Sequence, residues 1–124
     1  MTDNELLMLA HEAMQRGYAP YTGVKIGSAL ECNDGTVVTG CNVECGRGGA
    51  GISAEQAAIA LAVKDGLTEF SRIALVPSEG EDYCMPCAAG REMISQFGSD
   101  TEVLCAKSNG SYVSYRISQL YPRK

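Results

Sequence analysis

The order in which helix-like and strand-like segments follow one another is the feature that most constrains this sequence. An amphipathic segment opens the chain, two strand-like segments follow around an Asp-Gly turn, and an alanine-rich segment comes next. A strand, a helix, two further strands and a final helical turn complete the pattern α-β-β-α-β-α-β-β-α. This alternation predicts a layered α/β domain with helices on both faces of one sheet. The length of 124 residues suits a single domain spanning residues 1–124.

Local signals set the bounds of the predicted elements. Asp3 or Asn4 caps a first helix that ends near Gly17, and an Asp-Gly turn at residues 34–35 joins two strands as a hairpin. Ser53 caps the second helix. The predicted helices are 3–17, 53–64, 87–97 and 117–120 with a stop at Pro122, the predicted strands are 25–31, 36–42, 72–76, 102–106 and 112–115, and residues 46–51 form a glycine-rich surface loop.

Charge and hydropathy exclude several classes of protein. The net charge is −5, and an acidic chain without a basic stripe is a poor candidate for binding nucleic acid. No uncharged apolar run approaches the roughly 20 residues that span a bilayer. The first five residues are acidic where a secretory signal is basic, so we expect a cytoplasmic protein. The expected partner is a small molecule or another protein, not a membrane.

The six cysteines are numerous for this length, and in the cytoplasm their thiols are reduced. Those at positions 32, 41 and 105 lie in or beside predicted strands and are interpreted as small core residues. Cys84 and Cys87 have the C-x-x-C spacing of a redox dithiol or of a pair of metal ligands, and Cys45 offers a third sulfur. A redox or sulfur-based metal protein is therefore one open alternative.

Four blocks of sequence match a known family in order and without internal gaps. They are Tyr18-Ala-Pro-Tyr21, Gly40-Cys-Asn-Val-Glu44, Ser53-Ala-Glu55 and Pro86-Cys87-Ala-Ala-Gly90-Arg91. Through these blocks nearly the whole chain resembles the cytidine deaminases of the small homotetrameric type. The resemblance implies a three-layer α/β/α sandwich with a mixed five-stranded sheet. It also implies a homo-oligomer, with a tetramer as the expected form.

The resemblance implies a zinc site whose ligands this sequence does not retain. In the family, three ligands hold zinc, zinc ionises a water, and the glutamate matched by Glu55 moves protons to and from the base. The first and third ligand positions are Ser53 and Gly90 here, and Cys87 alone is kept. A serine hydroxyl is a weak zinc ligand and glycine has no side chain. We therefore expect no metal cofactor, with Cys84 and Cys45 as possible substitute ligands if zinc is held another way.

The residues that the family uses to recognise the nucleoside are better preserved. The resemblance assigns Asn42 and Glu44 to the ribose hydroxyls, and Val24 stands where an aromatic residue stacks on the base. Ala54 completes the expected substrate-binding set. Gln56 stands where many members have an arginine that offsets the charge of zinc-bound thiolates.

Each of these residues also has a purely structural interpretation. Asn42 and Glu44 are equally well interpreted as loop-capping residues. Ser53 is better interpreted as a helix cap than as a nucleophile. A glutamate in the first turn of a helix, such as Glu55, is usually a favourable charge on the helix dipole.

The sequence therefore predicts a cytidine deaminase-like protein that binds a pyrimidine nucleoside or a related small molecule. Zinc-dependent hydrolytic deamination is not expected. Besides the redox or metal protein, two alternatives remain open. One is an enzyme with changed chemistry, in which Cys87 is the nucleophile and Glu55 the proton shuttle. The other is a genuine cytidine deaminase with altered metal ligation.

Overall fold

The structure is a computed structural model that describes residues 1–46 and 50–121. Its helices are α1 (Asp3–Met14), α2 (Ala54–Lys64), α3 (Ala88–Gln96) and α4 (Ile117–Leu120). Its strands are β1 (Ile26–Cys32), β2 (Val37–Cys41), β3 (Phe70–Pro77), β4 (Glu102–Ala106) and β5 (Tyr112–Arg116). The predicted order of elements is confirmed, whereas residues 47–49 of the predicted glycine-rich loop and the predicted stop at Pro122 lie outside the described residues. None of the described helices is long and apolar enough to cross a bilayer.

The five strands form one mixed sheet in the order β2-β1-β3-β4-β5. Strands β3 and β4 run parallel, while the three other neighbouring pairs are antiparallel. The antiparallel β1–β2 pair is the hairpin that the Asp-Gly turn predicts. The parallel pair requires a crossover connection, and α3 lies within it. The predicted mixed five-stranded sheet is confirmed.

Helices cover both faces of the sheet and create two separate cores. Successive side chains of a strand point to opposite faces, so Ala29 and Leu30 of β1 belong to different cores. On one face, α1 buries Leu6, Leu7 and Ala10 against the sheet. On the other face, side chains of α2, α3 and α4 pack together with those of the strands. The fold is therefore the three-layer α/β/α sandwich that the resemblance implied.

Glycine lets two helices approach the sheet at backbone distance. A Cβ atom added to Gly27 of β1 would overlap the backbone of α1, including Met14 Cα at 2.7 Å. A Cβ atom added to Gly40 of β2 would lie 2.6 Å from the backbone nitrogen of Ala58 in α2. Because the neighbouring atoms are backbone, no side-chain rotation relieves either contact. These glycines fix how closely α1 and α2 pack on the sheet.

The cap of α1 differs from the prediction. Thr2, and not Asp3 or Asn4, is the N-cap, because its hydroxyl accepts the N–H of Glu5 at 3.1 Å and the Glu5 carboxylate accepts the N–H of Thr2 at 2.9 Å. This reciprocal pair is a capping box, whose Thr-x-x-Glu signal is present in the sequence. Asp3 is engaged elsewhere, in contacts with Arg72 and Tyr112.

Arg72 of β3 joins the N-terminus to the sheet at the end where β4 begins. Its side chain is only 15% exposed and donates to both carboxylate oxygens of Glu31, at 2.9 and 3.0 Å. It also donates to the Asp3 carboxylate and to the carbonyl of Met1. Since a guanidinium with several charged partners makes stronger hydrogen bonds than a neutral donor, this cluster contributes to stability.

Replacing Arg72 with methionine is expected to lower the free energy of unfolding at neutral pH by about 1–3 kcal/mol. The hydrogen bonds from Arg72 lower the pKa of Glu31 below its ordinary value of 4.5. A carboxyl group with a depressed folded-state pKa adds stability above its unfolded pKa, and this stability is lost as the pH falls through the folded pKa. In urea unfolding, the difference between parent and Arg72→Met should therefore shrink as the pH is lowered below about 4.5.

Lys64→Met is the matched control for this prediction. Lys64 pairs with Asp65 at 3.0 Å, but the two side chains are 71% and 48% exposed. Exposed pairs contribute little, so this variant should differ from the parent by less than about 0.5 kcal/mol at any pH. If Arg72→Met and Lys64→Met lowered the free energy of unfolding equally, a stabilising role for the Arg72 cluster would be contradicted.

Candidate ligand site

The starts of α2 and α3 meet at one edge of the sheet. Glu55, in the first turn of α2, is 3% exposed, and its Oε2 atom accepts the backbone N–H of Cys87 at 3.0 Å. Cys87 is the N-cap of α3, and its own sulfur accepts the N–H of Gly90 at 3.3 Å. The loop before α3 is tied to the end of β4, because the N–H of Cys84 donates to the carbonyl of Ala106 at 2.8 Å. The structure thus brings Glu55, Cys87 and Gly90 together.

Ser53 caps α2 in a capping box with Gln56. The Ser53 hydroxyl accepts the N–H of Gln56 at 3.3 Å and donates to Gln56 Oε1 at 3.0 Å. The backbone N–H of Ser53 donates to the same oxygen at 3.0 Å. The N-cap interpretation of Ser53 is confirmed. Its hydroxyl serves the cap as both donor and acceptor, and its hydrogen-bond acceptor is an amide oxygen and not a general base.

The space beside Gly90 is filled by the side chain of Glu55. A Cβ atom added to Gly90 would overlap the Glu55 carboxylate, with Cδ at 2.6 Å. Real Cβ contacts are essentially never this short, so a side chain at position 90 requires that Glu55 move. In the present arrangement, Glu55 lies where the third family ligand would begin.

The remaining cysteines of the described residues are not grouped with other metal-ligating side chains. Burial raises the pKa of the Cys84 thiol to about 12, with the negative charge of Glu55 as a further cause. Cys45 is exposed, and all six cysteines are free thiols. Among the described residues, no three His, Cys, Asp or Glu side chains are grouped so that they could hold a metal ion.

The residues around the family's metal position therefore do not fit a zinc ion. Zinc sites in proteins use three or four strong nitrogen, sulfur or carboxylate ligands. Here the Ser53 hydroxyl is engaged in a helix cap, Gly90 has no side chain, and Cys87 is the family ligand that is kept.

A cavity of about 410 Å³ opens beside the start of α2. Three of the predicted site residues, Asn42, Glu44 and Cys87, line it. Its volume is within the range of 300–1,000 Å³ that small-molecule pockets usually have. The other described lining residues are Tyr21, Thr22, Val43, Cys45, Gly46, Gly51, Ile52, Ser53, Gln56 and Ala89.

Glu44 anchors the loop that forms one side of this cavity. Its Oε1 accepts the N–H groups of Tyr21 and Thr22 at 3.0 and 3.1 Å, and its Oε2 accepts the Thr22 hydroxyl at 2.6 Å. The Thr22 hydroxyl and these two amides lower the pKa of Glu44 below its ordinary value of 4.5, so the side chain is a carboxylate at neutral pH. A carboxylate has about four acceptor positions, and one remains for a ligand donor.

Asn42 is buried and holds the entry to β1. Its Oδ1 accepts the N–H of Ile26 at 2.8 Å, and its Nδ2 donates to the carbonyl of Val24 at 3.0 Å. Within the described residues, this is the one bond that Nδ2 donates, and the carboxamide has a second N–H. The loop-capping interpretation thus describes the contacts of both Asn42 and Glu44, and each side chain keeps capacity for a ligand.

Three predicted residues, Val24, Ala54 and Glu55, are not among the residues that line the cavity. The carbonyl of Val24 accepts a hydrogen bond from Asn42 Nδ2. Ala54 is buried, and its carbonyl accepts the hydroxyl of Ser28 at 2.7 Å. Glu55 faces Gly90 and the start of α3. Sequence reasoning missed Thr22, although it directly follows one of the matching blocks, because its bond to Glu44 spans 22 positions of sequence.

The cavity wall at Val43 is held by backbone contacts on both sides. Val43 and Ile52 exchange two N–H···O=C bonds, at 3.0 and 2.9 Å. On the other side, Glu44 N–H donates to the carbonyl of Tyr18 at 2.9 Å, and Tyr18 N–H donates to the carbonyl of Asn42 at 2.9 Å. Glycine is required at position 51, since an added Cβ atom would lie 2.8 Å from the carbonyl carbon of Val43.

The structure is an α/β domain with a cavity of about 410 Å³ beside two meeting helix starts, and known proteins share this fold. A family model described as the cytidine and deoxycytidylate deaminase zinc-binding region matches residues 1–107. The chain therefore belongs to the cytidine and deoxycytidylate deaminase family, and the resemblance drawn from the four blocks is confirmed.

Individual relatives agree with this assignment. A probable cytidine deaminase of Dictyostelium discoideum is 34% identical over 113 residues, which cover 91% of this chain and 76% of that protein. A cytidine deaminase of Sporosarcina psychrophila is 30% identical over 123 residues, which cover 98% and 90% of the two chains. The crystal structure of cytidine deaminase from Burkholderia pseudomallei matches with a TM-score of 0.91 at 36% identity, over 98% of each chain.

Proposed function

We propose that this chain binds a pyrimidine nucleoside, or a closely related small molecule, without carrying out zinc-dependent hydrolytic deamination. One observation carries the proposal: the Glu55 side chain fills the place of the third family ligand beside a ligand-sized cavity. Family membership supports the class of ligand. The ligand positions occupied by Ser53 and Gly90 argue against the family's reaction.

The lining of the cavity suits a neutral, hydroxylated molecule. Glu44 and Asn42 both line it, and a carboxylate can accept a hydrogen bond from a ligand hydroxyl while a carboxamide can donate one. Ile52 and Val43 provide apolar surface for a ring. Since the carboxylate of Glu44 is ionised, it disfavours an anionic group at its own position.

Hydrolytic replacement of a ring amino group needs an activated water, and bulk water is too weak an acid to supply hydroxide at neutral pH. Glu55 alone assists only proton transfer, and such assistance contributes about 10²–10⁴-fold. Its carboxylate is also bonded to the backbone N–H of Cys87 at 3.0 Å. Cytidine turnover is therefore expected to be absent or many orders of magnitude below that of a zinc-loaded relative.

The proposal includes a cytoplasmic homo-oligomer, with a tetramer as the expected form and neither membrane nor nucleic acid as partner. An apolar groove between α2 and α3 supports self-association. Ala60, Val63, Met93 and Phe97 line it, and Leu61 is exposed on the same helix as Val63. Exposed apolar surface of this kind is typical of protein interfaces.

Nucleoside titration tests the proposed function. We expect calorimetry to detect binding of cytidine, deoxycytidine or uridine in preference to adenosine. Glu44→Gln should weaken this binding about 10-fold or more, because a charge-assisted hydrogen bond becomes a neutral one. Glu12→Gln, on the exposed face of α1, is the matched control and should bind as the parent does. Absence of binding for every nucleoside, or equal binding by both variants, would contradict the proposal.

The exposed thiol of Cys87 in the cavity favours a second candidate, an enzyme that uses Cys87 as nucleophile. In that case, incubation with a nucleoside should give an adduct at Cys87 that intact-protein mass spectrometry detects, and Cys87→Ala should abolish it. A protein that binds the nucleoside without any mass change supports the binding function instead.

A further inference from the structure

The buried carboxylate of Glu55 has a position that binding alone does not explain. We infer that Glu55 is a positioning residue that holds α2 against α3 in this chain, by filling the place beside Gly90 and bonding the start of α3. The inference rests on the part of the proposed function that leaves the family's metal position without a complete set of ligands. It goes beyond that proposal by giving the family's proton-carrying glutamate a structural role.

The first support is the bond between the two helices. Glu55 belongs to the first turn of α2, and its Oε2 accepts the N–H of Cys87, the cap of α3, at 3.0 Å. A hydrogen bond from an amide to a buried carboxylate is among the stronger hydrogen bonds in proteins. The unpaired amides at the start of α3 also favour a negative charge there. The contact therefore joins elements that are 32 positions apart in sequence.

The second support is the shape of the space around the carboxylate. Glu55 Cδ lies 2.6 Å from the point where a Cβ atom of residue 90 would be. Glycine at position 90 is thus the residue that permits the buried conformation of Glu55. The absent ligand side chain and the buried carboxylate are two parts of one packing arrangement.

The third support is the lack of a competing partner for Glu55. Among the described residues, its carboxylate takes part in no ion pair. The nearby Arg91 is bonded to the carbonyls of Pro86 and Leu120, at 2.8 and 3.3 Å. Among the described residues, the backbone N–H of Cys87 at the start of α3 is therefore the group that bonds the buried Glu55 side chain. Moving Glu55 out of this place leaves a space in the packing beside Gly90.

A double-mutant cycle on Gly90 and Glu55 tests the inference through thermal unfolding of the full chain. Gly90→Ala should lower the Tm of the parent by about 5 °C or more, since the new methyl group must displace the carboxylate. In a Glu55→Ala background, the same change should leave the Tm within about 2 °C or raise it, because the space is vacant and alanine favours the helix. Equal Tm shifts in both backgrounds would overturn the inference.

If Gly90→Ala alone does not fold, the double variant decides the outcome. Folding of Gly90→Ala with Glu55→Ala supports the inference, and failure of both overturns it. Amide hydrogen exchange gives an independent readout: Glu55→Ala should speed exchange of the Cys87 N–H about 10-fold or more, while Glu55→Gln, which keeps an acceptor, should speed it less. Unchanged exchange in Glu55→Ala overturns the inference. None of these measurements requires nucleoside binding, so a failed nucleoside titration leaves them informative.

Discussion

Ser53→Cys with Gly90→Cys is expected to yield a protein that retains about one zinc per chain, whereas the parent retains none. The two substitutions supply thiolates at both vacant ligand positions, next to Cys87. The new side chain at position 90 displaces Glu55 from the space that it fills. Elemental analysis after dialysis against a weak chelator measures the metal. Conversion of cytidine to uridine, followed by ultraviolet absorbance, should rise by orders of magnitude over the parent.

The single variants are the controls for this experiment. Ser53→Cys and Gly90→Cys each leave two thiolates and should retain little zinc, since two ligands do not complete a structural or catalytic site. Adding Cys87→Ala to the double variant should abolish retention. Stoichiometric zinc in the parent, lost on Cys87→Ala, would show the proposed function wrong and favour a site that includes Cys84 or Cys45.

Gly27→Ala is expected to cost about 3 kcal/mol or more of unfolding free energy, the largest single-residue loss that we predict. The added methyl group would overlap the backbone of α1 at Ala10 and Met14, so helix and strand must separate. Separation exposes the core that α1 forms with the sheet, which contains Leu6 and Ala29. Urea unfolding followed by circular dichroism measures the loss, and the Tm should fall by about 10 °C or more.

Gly80→Ala adds the same methyl group where no heavy atom lies within 4 Å. Because Gly80 has a φ of +107°, this control carries a backbone cost of about 1–2 kcal/mol but no overlap. The loss for Gly27→Ala should clearly exceed it. Similar losses would mean that α1 adjusts to the extra atom, and that close packing at Gly27 is not what positions the helix.

Most of the fold was accessible from the sequence because its signals are local. The Asp-Gly turn, the Ser53 cap and the alternation of elements each depend on a few adjacent residues, and the structure has all of them. The cap of α1 was predicted at Asp3 or Asn4, although Thr2 with Glu5 carries the signal. Which residue caps α1 depends on the hydrogen-bond partners of the Asp3 side chain. These partners, Arg72 and Tyr112, lie far from Asp3 in sequence.

The site was less accessible because its decisive contacts join distant parts of the chain. Pattern matching located Glu44 and Glu55, but it did not reveal their partners. The bonds of Glu44 to Tyr21 and Thr22, and the burial of Glu55 against Gly90, depend on how the loops and helices pack. In the sequence, glycine at position 90 indicates a lost ligand. In the structure, the side chain of Glu55 fills the space that a side chain at position 90 would occupy.

The backbone bridges at Val43 have a consequence for how this site changes over generations. Main-chain N–H and C=O groups form the links from Val43 to Ile52 and from its neighbours to Tyr18, so replacing lining side chains leaves these links in place. The part of the cavity wall that these backbone bonds hold is thus independent of which side chains line it. Proteins with this fold can therefore lose catalytic side chains by mutation and still keep the backbone-bonded wall of the cavity. A different reaction can later evolve at the same cavity.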